Sequence, residues 1–274
     1  MWGAHDARAR AKRRRTVKVD VHESVLRVNE TIAARLREAW ERRQITVVNL
    51  ISAPGSGKTA LLERTLEGLR GMLSVAVLVG DIQTDNDARR LARFGFPVRQ
   101  IVTTGECHLE AHMVEKHLHF VDEPDLDLLL IENVGNLVCP TDYDLGEDAK
   151  VVLLSTTEGE DKPLKYPAIF HRAKVALLTK TDLLQYLDFD VAEARRNLGE
   201  IHPGMPILEV SARTGDGLDR WLEWLMVQVG RKKRAERRTD GGESDALPTA
   251  KVEAIVACRP ATKKAKKAKK VKQQ

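Results

Sequence analysis

Ser52-Ala53-Pro54-Gly55-Ser56-Gly57-Lys58-Thr59 follows directly on the apolar run 45–51 and opens a stretch of helical periodicity over 58–69. Strand, glycine-rich turn, Lys-Thr and helix in that order form a phosphate-binding loop. Glycines let successive backbone N–H groups turn inward as an anion nest, and the helix N-terminus adds its dipole. The Lys58 ammonium then reaches the β- and γ-phosphates, and the Thr59 hydroxyl ligates Mg²⁺. The nucleotide contacts fall on Gly55, Ser56, Gly57, Lys58, Thr59 and Ala60. Ser52 stands where the strict motif has glycine, at its least demanding position.

Outward from this loop, short β-branched or Leu-rich runs alternate with helical stretches. The runs 45–51, 75–79, 98–102, 126–131, 151–154, 175–178 and 207–210 are largely apolar, as strands buried on both faces of a parallel sheet are. Segments such as 58–69, 86–94, 108–119 and 191–198 suit crossover helices, and Val25, Leu26, Val28, Ile32, Ala33, Leu36 and Trp40 recur at helical spacing ahead of the first strand. The expectation is a doubly wound, mostly parallel α/β sheet in one domain, 19–230.

Charge separates that domain from its flanks. Residues 1–18 carry seven Lys/Arg against one acid and residues 231–274 carry 15 against five, whereas 19–230 carry 23 against 34, a net of −11 inside a chain of net +5. The ends cannot bury a core and are expected to be disordered: a basic N-terminal extension, and a tail whose 263–272 reads KKAKKAKKVK. Lys-rich tails hold phosphate backbones non-specifically, so non-specific nucleic acid is one partner class, although no aromatic side chain interrupts the run to stack on bases. The 4% aromatic and 31% charged content excludes a fibre, a coiled coil or a wholly disordered chain. No apolar run approaches the roughly 18 residues that cross a bilayer, and Met1-Trp2-Gly3-Ala4-His5 lacks a secretory core, which points to the cytoplasm. Three cysteines are too few, and too odd a number, for a disulfide framework.

Base selection falls on Leu177-Leu178-Thr179-Lys180-Thr181-Asp182. A carboxylate at Asp182 accepts from both N1–H and the exocyclic amine of guanine, which adenine does not offer there, and the Lys180 stem lies along the ring. Thr179 replaces the Asn of the usual Asn-Lys-x-Asp, which loosens the expected loop, and Lys180 with Asp182 also fits a surface ion pair. Ser211-Ala212-Arg213, after the last strand, fits a segment whose backbone N–H meets the guanine carbonyl. Together the two motifs favour GTP and GDP.

Catalytic candidates lie between the two motifs. Asp81 and Glu132 end the second and fourth strands and project where strands meet nucleotide, able to hold Mg²⁺ or orient the attacking water. Gly135 brings a backbone N–H to the γ-phosphate; Asp81 as a mere helix cap is the competing reading. Asp127, opening the fourth strand, belongs at the opposite sheet edge.

Cys107-His108 at the start of an expected helix, with Cys139 four residues after Gly135, supplies two soft thiolates and an imidazole, a set for Ni²⁺ or Zn²⁺ rather than Mg²⁺. His112, one helical turn beyond His108, is a possible fourth donor; buried structural cysteines and a satisfied histidine fit the same spacing. Cys139 hangs from the segment that moves when a γ-phosphate arrives at Gly135, so metal affinity and nucleotide state would be linked.

Over residues 20–228, and above all in Glu132-Asn133-Val134-Gly135-Asn136-Leu137-Val138-Cys139-Pro140 and Thr157-Glu158-Gly159-Glu160-Asp161-Lys162-Pro163-Leu164-Lys165-Tyr166-Pro167, the chain closely resembles the HypB family of hydrogenase nickel-incorporation GTPases. The resemblance implies a SIMIBI-class GTPase that hydrolyses GTP slowly and dimerises in the GTP state. It also implies metal held by Cys107, His108 and Cys139 at the dimer interface and Mg²⁺ near Thr59, Asp81 and Glu132. Its implied partners are a hydrogenase accessory nickel protein and the hydrogenase large subunit. Residues 1–44 hold no Cys and only His5 and His22, so no N-terminal nickel store is expected. Urease-type nickel GTPases are the nearest alternative, but their Cys-Pro-His motif is absent.

Overall fold

The structure is a computed structural model that describes residues 21–82, 85–121 and 125–239. The expected extension 1–18, residues 240–274 of the tail and Cys258 lie outside the described residues. Seven strands, β1 (Thr46–Ser52), β2 (Val75–Asp81), β3 (Val98–Val102), β4 (Leu128–Glu132), β5 (Ala149–Ser155), β6 (Val175–Thr179) and β7 (Ile207–Val210), form one sheet in the order β3-β2-β4-β1-β5-β6-β7. Every pairing in it is parallel. The helices are α1 (Val21–Arg42), α2 (Lys58–Leu69), α3 (Asn86–Ala92), α4 (Ala111–Glu115), α5 (Lys162–Lys165), α6 (Pro167–Arg172), α7 (Val191–Ile201) and α8 (Leu218–Thr239), with short 3-10 turns at Leu118–Val121, Cys139–Thr141 and Thr181–Tyr186.

The apolar residues of β1, β4 and β6, buried at every position, make the sheet two-sided. Successive residues of a strand face opposite ways, so Val48 and Leu50 pack with Leu61, Leu66, Trp221 and Leu225 of α2 and α8, while Val47 meets Ala33, Leu36 and Trp40 of α1. Farther along, Val152, Leu154 and Ala176 pack with Phe170 and Leu198 of α6 and α7. From β1 the chain winds outward to β2 and β3 on one side and, after β4 and β5, to β6 and β7 on the other. That reversal leaves a crevice beyond the carboxyl ends of β1, β4 and β5, where such sheets bind ligands.

Two expected boundaries differ. The segment expected as a helix over 108–119 is helical only at Ala111–Glu115, with the 3-10 turn Leu118–Val121 after it. Glu110 is extended (φ −110°, ψ 155°), and tertiary side chains hold the backbone on either side of it: Leu109 N donates to Asn133 Oδ1 and Ala111 N to Asn29 Oδ1. At the other end, α8 runs on through Arg231 to Thr239, past the expected boundary at 230. Lys232 Nζ lies 2.6 Å from Asp148 Oδ1 and Lys233 pairs with Asp127, so the first charges of the tail are anchored to the domain. Asp127, which also accepts from Ser74 N, stands at the sheet edge away from the crevice. Among the described residues no helix is long and apolar enough to cross a membrane.

Candidate functional site

β1 ends at Ser52, and the turn to α2 passes through Gly55 (φ 74°) and Gly57 (φ 96°), left-handed conformations that glycine adopts without strain. Lys58, only 8% exposed, donates from Nζ to Ser52 Oγ at 2.9 Å, so the serine in the glycine position of the motif holds the lysine. Burial pushes the Lys58 ammonium below its ordinary value, against the pull of Glu132. Thr59 Oγ1 donates to Glu132 Oε1 at 2.8 Å, while Glu132 Oε2 is buried with no hydrogen-bond partner. Burial, only partly offset by Lys58 and Thr59, pushes the Glu132 carboxyl up to about 7.

A cavity of about 440 Å³ opens over these groups, walled by Lys58, Thr59, Asp81, Asp87, Arg90, Glu132 and Gly135. Asp81 reaches it from the end of β2; the residue that precedes α3 is Asp85, four residues on, so Asp81 is not the cap of that helix. An orphaned carboxylate oxygen beside a threonine hydroxyl and a second carboxylate is a donor set that fits Mg²⁺. A Cβ on Gly135 would sit 2.9 Å from Pro54 Cα, which shows how tightly this loop lies on the phosphate turn.

Beside the cavity a second hollow of about 240 Å³ is lined by Ser56, Gly57, Ala60, Lys180, Asp182, Ala212 and Arg213. Ser211 Oγ donates to Asp182 Oδ1 at 2.7 Å, which joins the two segments expected to read the base. Thr179, buried at the end of β6, donates from Oγ1 to Ser56 O at 2.8 Å and ties this wall to the phosphate loop. Lys180 takes a left-handed conformation (φ 59°) and its Cε would stand 3.9 Å from a Cβ on Gly57, placing its stem along the hollow.

The thiolate and imidazole donors converge next door. Cys107 Sγ lies 3.0 Å from Cys139 Sγ and 3.8 Å from His108 Nδ1, and one donor atom from each of the three residues falls within 4.8 Å of the others. His108 is 6% exposed, its ring tilted 38° against that of Tyr143 with centroids 3.9 Å apart; burial lowers its affinity for protons despite Glu110 and Glu106, and Nε2 has no hydrogen bond. A neutral imidazole beside two thiols that can lose their protons to an ion fits a borderline-soft divalent metal. The neighbouring thiol of Cys139, together with burial, raises the Cys107 thiol. His112 stays outside this cluster. Because Glu110 is extended, His108 and His112 are not on one helical face, and His112 Nδ1 pairs with Glu110 Oε2 at 3.0 Å. Thr141, where a Cys-Pro-His motif would have its histidine, donates to Leu137 O.

Sequence reading missed two contacts. Ser56 Oγ donates to Glu158 Oε1 at 2.5 Å, clamping the phosphate loop from β5's exit; Glu158 lies in the long Thr157–Pro167 motif, whose specificity was visible but whose geometry was not. Arg90, bound to Glu63 at 2.9 Å and Asp87 at 3.3 Å, places a guanidinium on the cavity wall, and no motif announces it.

Fold and site together define a parallel α/β nucleotide-binding domain whose phosphate loop adjoins a thiolate–imidazole centre. The CobW/HypB/UreG nucleotide-binding domain matches residues 46–209, and the chain belongs to the HypB family within that group. It is 49% identical over 215 residues to the hydrogenase maturation factor HypB of Azotobacter vinelandii, covering 78% of this chain and 71% of that one. To the factor of the same name from Escherichia coli K12 it is 47% identical over 215 residues, covering 78% and 73%. The crystal structure of HypB from Helicobacter pylori in complex with nickel superposes with a TM-score of 0.71 at 33% identity, over 80% of this chain and 100% of that one. HypB from Archaeoglobus fulgidus gives 0.69 at 39% identity, over 74% and 99%.

Proposed function

We propose that this chain is a slow, GTP-hydrolysing nickel metallochaperone of the cytoplasm that serves maturation of a [NiFe] hydrogenase. One observation carries the reading: a single short segment, 132–139, holds a carboxylate facing Thr59 at one end and a thiol of the cluster at the other. Gly55, Ser56, Gly57, Lys58, Thr59 and Ala60 cradle the phosphates. Asp182, Lys180, Ser211 and Ala212 select guanine, and the Thr179 bond to Ser56 stands in for the missing Asn. Thr59, Asp81 and Glu132 would hold Mg²⁺, which neutralises charge on the phosphate oxygens.

Hydrolysis places a water, oriented by Asp81, in line with the β–γ bond. As the water oxygen bonds to phosphorus, the bond to the bridging oxygen breaks, GDP leaves and the proton passes to solvent. Lys58 and the Gly135 N–H stabilise the charge that develops on the γ-oxygens. Ni²⁺ is cargo: Cys107, His108 and Cys139 supply three donors, and facing chains of a GTP-state dimer complete four-coordination. Zn²⁺ fits the same donors; nickel in the Helicobacter pylori relative favours Ni²⁺. Loss of the γ-phosphate releases Gly135, opens the dimer and hands the ion to an accessory nickel protein and then to the hydrogenase large subunit.

The test measures phosphate release from GTP with Mg²⁺ and, separately, Ni²⁺ titration. Release should exceed that of Lys58→Ala by at least 100-fold, and Cys139→Ser should weaken Ni²⁺ by at least tenfold. Equal release from the two proteins would sink the GTPase half of the reading, and unchanged nickel affinity the metal half.

A further inference from the structure

Two buried asparagines pin the segment that follows Cys107 and His108, one from the end of β4 and one from α1. Asn133, 1% exposed and one residue beyond Glu132, accepts through Oδ1 from Leu109 N at 3.2 Å and from Val134 N at 2.9 Å. Its Nδ2 donates to Asn49 Oδ1 at 3.2 Å, and Asn49 Nδ2 donates in turn to Glu147 Oε1 at 3.2 Å. Asn29 of α1, 3% exposed, accepts through Oδ1 from Ala111 N at 2.7 Å and donates through Nδ2 to Asp144 O at 2.8 Å. It therefore bridges the chain just after His108 to the chain just after Cys139.

The two residues differ in what they are attached to. Asn29 sits on a helix packed through Ala33, Leu36 and Trp40, and the loop it holds lies directly on that helix: a Cβ on Gly146 would stand 2.8 Å from Ala33 O. Arg37 fixes the same loop through both oxygens of Asp144. Asn133 sits on the strand end whose next residues, Val134 and Gly135, wall the nucleotide cavity. One carbonyl oxygen shared between Val134 N, on the nucleotide side, and Leu109 N, on the metal side, cannot keep both bonds if Val134 and Gly135 turn. Leu109 itself is 0% exposed and wedged where a Cβ on Gly80, the residue before Asp81, would stand 2.7 Å from its Cγ.

Resting on the nickel-GTPase reading above, we propose that Asn133 is the positioning residue through which nucleotide state sets the Cys107–His108 half of the metal centre. Asn29 is its static counterpart, holding the centre together equally in every nucleotide state. Asn133 carries the signal because its acceptor is divided between the two sites; Asn29 carries none because neither of its partners touches the nucleotide cavity.

The experiment uses the full chain. The Ni²⁺ dissociation constant is titrated by the thiolate-to-metal absorption band, once with GDP and Mg²⁺ and once with a non-hydrolysable GTP analogue and Mg²⁺. The native chain should give a ratio of the two constants in the range of about 5 to 150 that linked sites show. In Asn133→Ala, and in Asn133→Ser, whose hydroxyl stays close to Val134 N but is too short for Leu109 N, the ratio falls severalfold below the native value, leaving what Cys139 and the Asn136 bond to Cys107 O carry. In Asn29→Ala both constants rise by the same factor and the ratio survives. Asn133 variants that keep the native ratio, or an Asn29→Ala chain that loses it, would overturn the assignment. A native ratio of 1 would instead overturn the linkage of metal to nucleotide on which the assignment rests.

Discussion

Replacing Glu132 by Gln should make the nucleotide-free protein more stable, by an amount that grows as pH rises from 4.5 to about 7 and is complete above neutral pH. The structure gives the size of the effect. Burial raises the Glu132 carboxyl from an ordinary 4.5 to about 7, and at about 1.4 kcal/mol per tenfold change in proton affinity the difference is about 3 kcal/mol. As pH climbs from 4.5 to 7 the unfolded chain gives up this proton while the folded chain keeps it. The unfolded state then binds fewer protons, so stability falls with rising pH across that window and stays low above it. Gln removes the titration, keeps an acceptor for Thr59 Oγ1, and removes the desolvated charge. Urea unfolding without nucleotide or Mg²⁺ can be followed through Trp40 and Trp221, both 1% exposed or less. The Glu132→Gln chain and the native chain should unfold at similar urea near pH 4.5. By pH 8 the variant midpoint should lie about 1 M higher, taking a slope of about 2 to 3 kcal/mol per molar urea. A midpoint difference that is the same at both pH values would mean that the carboxyl ionises normally, and the account of its burial would be wrong. GTP hydrolysis, which needs the carboxylate, should be lost in the same variant.

Two further perturbations test other parts of the site. Gly135→Ala puts a Cβ 2.9 Å from the Pro54 backbone, which cannot yield, so the loop lifts from the phosphate turn; the phosphate-release rate should drop about 100-fold, as for loss of one oxyanion donor, and a near-native rate would contradict the packing. Truncation after Thr239 keeps the Lys232 and Lys233 anchors and should leave thermal stability and GTP hydrolysis as in the full chain, whereas truncation after Gly230 removes both ion pairs and should lower the melting temperature; identical melting of the two shortened chains would refute the anchoring.

The fold was legible because seven short runs rich in Val, Ile and Leu recur in the right order, and their positions needed only small adjustments, such as Leu128 rather than residue 126 for the start of β4. Contacts that only a folded chain can supply were not. The helix expected from residue 108 starts only at Ala111, where Asn133 and Asn29, 24 and 82 residues away from their partners, fix Leu109 N and Ala111 N around an extended Glu110. Short helices with prolines in their first turn, at Lys162–Lys165 and Pro167–Arg172, have too few residues to show a period. The basic end of α8 reads as tail because its charges dominate composition, although Lys232 and Lys233 meet aspartates contributed by β-strand ends. At the site, residue types at strand ends marked Asp81 and Glu132, and paired thiol and imidazole marked the two cysteines; their spacing could not show that Glu158 grips the phosphate loop or that the Thr179 hydroxyl bonds to the same loop.

The three-donor centre has a kinetic consequence. Cys107 and Cys139 are each only partly covered, and Val138 beside them is 58% exposed. On the proposed reading a lone protomer would offer a four-coordinate ion only three donors, so an acceptor's ligand would bind before any of the chain's own ligands departs. Exchange would then proceed by association, one bond made for each bond broken, and the ion would pass between proteins without being free in water.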